Sequence, residues 1–189
     1  MVLISIIVGL GIAHVLLGIG GIIDRRSGRG PHLELSLAHG VWLVYIFVWM
    51  VQFWWWEFRF SELGVDWSIG LYFFLVAYSV TLFLAAVILV PRSWDGVESL
   101  GDYFVERRAW FYSILLVATG LDVIDTLLKG GWEYMLDLGP WTVALPVLTL
   151  LVCVVGFRSR QLRHHSLLGI GLLTVQLIQG FVDISSLGL

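Results

Sequence analysis

Charge is scarce in this chain. Asp, Glu, Lys and Arg make up 13% of its 189 residues, against the ~25% usual in a soluble domain. The net charge is −3 and no basic face of useful size exists, which excludes nucleic acid as a partner. Cysteine is nearly absent. Cys153 stands alone in the apolar run Val-Leu-Thr-Leu-Leu-Val-Cys-Val-Val, so an intrachain disulfide and a cysteine metal cluster are ruled out, and the thiol reads as a small buried hydrophobe. There is no P-loop, dinucleotide fingerprint, Gly-x-Ser-x-Gly elbow or HExxH, so nothing points to an enzyme. An arginine ladder and a Thr-Val-Gly-Tyr-Gly filter are missing as well, which sets aside the voltage sensor and the potassium-selective pore.

What is present is oil. Hydrophobic residues are 59% of the chain and the mean hydropathy is +0.91. Six apolar stretches separate, at about 2–23, 33–56, 67–90, 109–128, 140–157 and 166–186. Their patterning is continuous rather than amphipathic, and each is long enough for a membrane crossing. In lipid such stretches must be helices, because loose backbone groups find no water there. The expected fold is all-α: a polytopic six-helix transmembrane bundle, one transmembrane domain over 1–189. The first stretch has no basic residues before it and no small-residue cleavage site, so it reads as a retained span rather than a signal peptide.

The cations set the orientation. Arg25, Arg26 and Arg29 fall in the first loop, Arg92, Arg107 and Arg108 in the third, Arg158, Arg160 and Arg163 in the fifth, leaving only Arg59 and Lys129 on the other side. The positive-inside rule then places the odd loops in the cytoplasm and both termini outside. Trp54, Trp55, Trp56, Trp67, Trp132 and Trp141 gather at the outer span ends and Trp94 and Trp110 at the inner boundary, as an aromatic belt does. In the third loop, 93–108, Trp94, Val97, Leu100 and Phe104 recur at helical spacing opposite Asp95, Glu98, Asp102 and Glu106. That pattern predicts a short interfacial helix. Gly9/Gly11 and Gly169/Gly171 echo each other in the first and last spans, too little to establish an inverted repeat.

Ionisable residues at membrane depth need a reason to be there. Gly11, His14, Gly18 and Gly21 share one helical face, so His14 should look at a neighbouring helix across a close approach. It reads first as an interhelical hydrogen-bonding group. His39 in the second span offers a partner at a similar depth, and a bis-histidine haem b or a proton relay is the chemistry such a pair can carry. No CxxCH accompanies it, and no other cofactor is suggested. His32, His164 and His165 sit beside arginines without zinc spacing and read as solvated loop residues.

The outer half is richer. Asp122 and Asp125 lie in the fourth span; Lys129 can pair with Asp125 at i,i+4, while Asp122 has no local partner and is the best candidate for a protonatable or cation-binding group. Gln176, Gln179 and Asp183 form a narrow polar stripe in the sixth span. A cavity between these spans would unite Asp122, Asp125, Gln176, Gln179 and Asp183, rimmed by Trp141 and Thr142. Pro146 should kink the fifth span and free a carbonyl near Thr142.

The stretch Trp67 to Pro91, with Asp102-Tyr103-Phe104 and Arg107-Arg108-Ala109-Trp110-Phe111-Tyr112 after it, resembles uncharacterised bacterial multi-span inner-membrane proteins. The resemblance covers about a quarter of the chain and implies a bacterial inner membrane but no activity. Three roles remain open. The first is a small channel- or transporter-like protein admitting cations or protons to the acidic residues. The second is a structural or accessory subunit packed against a partner membrane protein or a second copy, its polar groups acting as glue. The third is a haem-bearing electron carrier.

Sidedness has a direct check, because Cys153 is the one native thiol. In a Cys153→Ser background we expect Glu133→Cys to react with an impermeant maleimide in intact cells and Ser27→Cys only after permeabilisation. The reverse pattern would invert the topology.

Overall fold

The computed structural model describes residues 2–29, 32–62 and 68–186, without the side chains of 29, 61, 62 and 182–186. It is all-helical. The six helices are α1 (Val2–Asp24), α2 (Leu37–Glu62), α3 (Ile69–Leu89), α4 (Leu100–Asp137), α5 (Trp141–Arg158) and α6 (Leu162–Ser186), with a π-helical turn at Arg25–Arg29. The first five are long and apolar enough to cross a membrane. The sixth is 25 residues long, and its side chains are described only as far as Phe181.

Local chemistry sets the helix ends. Ser68 caps α3, its hydroxyl accepting from Leu71 N–H at 3.1 Å, and Ser99 caps α4 by accepting from Asp102 N–H at 3.3 Å. Val90 turns extended before Pro91 and stops α3. Gly131, with φ 71° and ψ −165°, breaks α4 into a long arm and a final short turn; a side chain there would be strained.

Around the bundle the order is α1, α3, α4, α5, α6, α2 and back to α1, and α2 also reaches α3 and α4 across the middle. Accordingly, half of the most apolar stretch of α2 is buried, against 22–33% in the other candidate spans. Its sequence explains this position. Trp42, Tyr45, Trp49 and Phe53 recur every three or four residues and are all buried. Successive rings meet edge-on, at 5.4 Å for Trp42–Tyr45 and 5.7 Å for Tyr45–Trp49, the geometry that aromatic quadrupoles favour. The outward faces carry exposed apolar side chains such as Leu17, Phe73, Val117, Leu151 and Phe181. A continuous apolar exterior is a liability in water and the requirement of a helical membrane bundle.

The arginine-bearing loops meet at one end. Arg25 donates to Trp94 O at 2.5 Å, Glu34 N–H donates to Glu98 O at 2.8 Å and Leu100 N–H to Glu34 O at 3.0 Å. A Cβ on Gly101 would strike Leu162, which brings the start of α6 to the same place. On α1 the glycine face behaves as its spacing indicates: Gly11 sits against Met50 and Phe83, Gly18 against Val90, Gly21 against Trp94.

Two expectations fail here. Loop 93–108 holds no separate interfacial helix. Residues 93–99 are turns and irregular chain, and from Leu100 the helix continues unbroken into the fourth span. Gly101, which by propensity alone weakens a helix, is the point of close packing that lets α4 start there. His165 is not a solvated loop residue. It is fully buried in the first turn of α6, with Nδ1 2.8 Å from Tyr112 Oη and the Phe104 ring edge-on at 5.1 Å.

Tyr112 is locked in place by that contact and by Trp42 and Phe111, and a Cβ at Gly156 would overlap its ring. Gly156→Ala should therefore cost ~1–3 kcal/mol through overpacking. Gly120→Ala, with nothing within 4 Å, should be neutral or slightly stabilising. Reversible unfolding in mixed micelles reads the difference, and equal stabilities would show that Gly156 does not constrain the packing.

Candidate functional site

Away from the arginine-rich end, four helices line a cavity of about 130 Å³. Its wall is built from α2 between Tyr45 and Glu57, the second half of α4 with its closing turn, the start of α5, and α6 near Gln176.

The acidic wall comes from α2 and α4. Glu57 extends the buried stripe of α2 by one step beyond Phe53 and is 1% exposed. Asp125 and Lys129 stand one turn apart on α4. Lys129 Nζ donates to Glu57 Oε1 at 2.5 Å and to Asp125 Oδ2, tying α2 to α4. The Phe60 ring lies 5.0 Å from the same ammonium, within cation–π range. One turn deeper, Asp122 Oδ1 accepts from Tyr78 Oη of α3 at 2.7 Å, and Tyr78 Oη accepts from Trp49 Nε1–H at 3.1 Å. The remaining wall mixes the rings of Tyr45, Trp49, Trp56, Tyr134 and Trp141 with polar side chains such as Gln52, Thr119, Thr126 and Thr149, and Pro146 interrupts α5 beside it. Proline at 146 leaves the Thr142 carbonyl without its helical donor, and Thr142 itself lines the cavity.

One feature of the wall is chemically lopsided. Glu57 Oε2, Asp125 Oδ1 and Gln176 Oε1 are buried and without a hydrogen-bond partner. All three are acceptors on residues that line the cavity, but the oxygens themselves have no accessible surface. Buried polar atoms are ordinarily paired, and an open one costs ~1–3 kcal/mol, more when charged. Three carboxyl groups face a single ammonium here, so the cluster lacks positive charge or donors. Among the described residues no three His, Cys, Asp or Glu side chains are placed to hold a metal ion.

The structure thus gathers Asp122, Asp125, Gln176 and Gln179 around one cavity, with Trp141 and Thr142 on its wall as expected. The side chain of Asp183 lies outside the described residues, as does Trp67. Glu57 and Tyr78 are additions that residue order does not announce. Glu57 follows Trp56 and looks like an interfacial residue, although its spacing of four and eight from Phe53 and Trp49 places it on their buried face. Tyr78 is a partner for Asp122 that no local spacing on α4 reveals.

The histidines are not brought together. His14 faces Phe83 of α3 at 6.2 Å between ring centroids. His39 lies in the first turn of α2, where Nε2 donates to Leu89 O at 2.7 Å. Those two α3 neighbours are six residues apart, about 9 Å of helix rise, so the rings do not share a level. These residues do not fit an axial haem pair.

No family model, no curated protein and no solved structure matches the chain.

The charge cluster makes a sharp energetic demand. Lys129→Met would leave Glu57 and Asp125 facing each other unpaired and should cost ~3–5 kcal/mol. Adding Glu57→Gln and Asp125→Asn to the same chain should restore most of it. A Lys129→Met protein that melts like the parent would show that the ammonium does not tie α2 to α4.

Proposed function

We propose that the chain is a six-span integral membrane protein that takes up a small cation or proton into this cavity, as a transporter- or channel-like protein does. The odd, arginine-rich loops face the cytoplasm, and both termini and the cavity mouth face outward. The location that fits is a bacterial inner membrane.

The observation that carries this reading is the gathering of three carboxyl side chains, Glu57, Asp122 and Asp125, with the single ammonium of Lys129 on the wall of one cavity. Polar groups whose only task is to join helices are matched one to one, as Tyr78 and Asp122 are. Ionised carboxylates in a low-dielectric site cost several kcal/mol unless neutralised, and Lys129 supplies only one positive charge. A cation or a proton entering the cavity removes that cost, which gives the site its affinity.

Asp122 is the residue to test, because asparagine keeps the oxygen that accepts from Tyr78 and removes only the charge. In proteoliposomes with an internal pH or cation dye, the parent protein should pass a cation or proton current. Asp122→Asn should lower it at least tenfold with melting unchanged. Absence of any flux from the parent, or equal loss of folding in Asp122→Asn and Gln179→Leu, would instead favour a structural or accessory subunit.

A further inference from the structure

At the arginine-rich end, away from the cavity, the short connection between α5 and α6 borders an open groove of about 500 Å³. Arg158, Arg160 and His164 line it together with Val154 and Val155, and no acidic side chain does so among the described residues. We propose that this groove binds an anionic phospholipid, with the phosphate on the cations and an acyl chain along α5. Other arginines at this end are engaged by the protein itself. Arg25 donates to Trp94 O and Val97 O. Arg107 pairs with Glu106 and lies over the Tyr103 ring, and Arg108 donates to Val105 O. Arg158 and Arg160 are exposed, and their guanidinium groups have no hydrogen bond, ion pair or ring contact among the described residues.

The groove combines a place for a headgroup with a place for a tail. A guanidinium meets phosphate oxygens through parallel N–H donors, and Arg158 and Arg160 bring two of them to one groove. Between them the chain is held in shape. Ser159 Oγ accepts from Gln161 N–H at 3.1 Å and lies 2.9 Å from His164 Nδ1. Nε2 is then the ring nitrogen of His164 left for a ligand. The apolar half of the groove points to a lipid rather than a free phosphate. Val154 and Val155 are exposed, and Val154 stands one turn before Arg158 on the same face of α5. Val147, Leu150 and Leu151 continue that exposed face away from the loop, over about 10 Å of helix. A fatty chain can follow this stripe while its phosphate meets the arginines, the arrangement in which basic pockets at the ends of spans hold lipid headgroups. A free anion would leave the valines and the stripe unused.

The test takes the full chain in uncharged detergent with equal amounts of phosphatidylglycerol and phosphatidylcholine of the same acyl chains, and reads retained lipid by native mass spectrometry. The parent should retain phosphatidylglycerol over phosphatidylcholine by about tenfold or more, from two arginines on one phosphate. Arg158→Gln with Arg160→Gln should remove that preference. Arg26→Gln with Arg163→Gln, which makes the same change in net charge outside the groove, should keep it. Equal retention of the two lipids by the parent overturns the headgroup site. Equal loss in the two double variants shows general charge attraction and overturns the groove. Displacement of phosphatidylglycerol by glycerol 3-phosphate at matched concentration makes the ligand a free phosphate and overturns the lipid. Where the Arg158→Gln, Arg160→Gln chain fails to fold, the parent decides alone: a phosphatidylglycerol with a photoactivatable acyl chain should label residues 147–164, and labelling confined to other segments overturns the proposal.

Discussion

A charged side chain at the depth of the fatty chains has only other protein groups to turn to, and the junction of Lys129 with Glu57 and Asp125 is this protein's answer. It joins the central helix to α4 near their shared end. By holding α2 and α4 there, it fixes one wall of the cavity and leaves α5 and α6 to supply the other. Asp122 and Tyr78 repeat the device one turn deeper, between α4 and α3. The helices α2, α3 and α4 are thus pinned by hydrogen-bonded polar groups at the level where the bundle opens. Lipid offers no hydrophobic force between helices to do the same.

The opposite end is built on another principle. Trp42, Tyr45, Phe104, Phe111, Tyr112 and His165 form a buried aromatic block, and Trp42 Nε1–H donates to His165 O at 3.1 Å. Tyr45 belongs to both regions, lining the cavity while standing edge-on to Trp42. A group that enters the cavity therefore meets a packed aromatic floor. An open pore would need that floor to part, whereas a carrier needs only a one-sided pocket in each of its states. Of the two forms of the proposed function, the carrier asks less of this arrangement.

Much of this is legible from residue order, and the limits are physical. Long apolar runs and arginine alternation locate the helices and show which loops share an end, because both signals are local. Helical spacing likewise puts Asp122 and Asp125 on one face, and Gln176 and Gln179 on another, at comparable depth. Spacing within a helix says nothing about which helix lies opposite. For that reason residue order hides Tyr78 as the partner of Asp122, and it pairs His14 with α2 although the glycine face of α1 packs chiefly on α3. The arginine neighbours of His165 mislead in the same way: in the first turn of a helix, adjacent residues point in different directions, and this one points inward. Glu57 escapes notice because a run of three tryptophans reads as a boundary, although the buried stripe of α2 continues through it.

The remaining choice is between glue and site, and energetics separates them. Buried ion pairs are poor glue, since apolar residues of similar volume often serve as well or better. A bundle needing only cohesion gains nothing from three carboxyl groups where one ammonium is at hand. It loses more by setting Glu57, Asp122 and Asp125 together on the wall of one cavity. The surplus carboxyl groups make sense when that cavity takes up a cation or a proton for part of the time. Their cost is then offset in the occupied state, and the cavity's affinity is that same cost released.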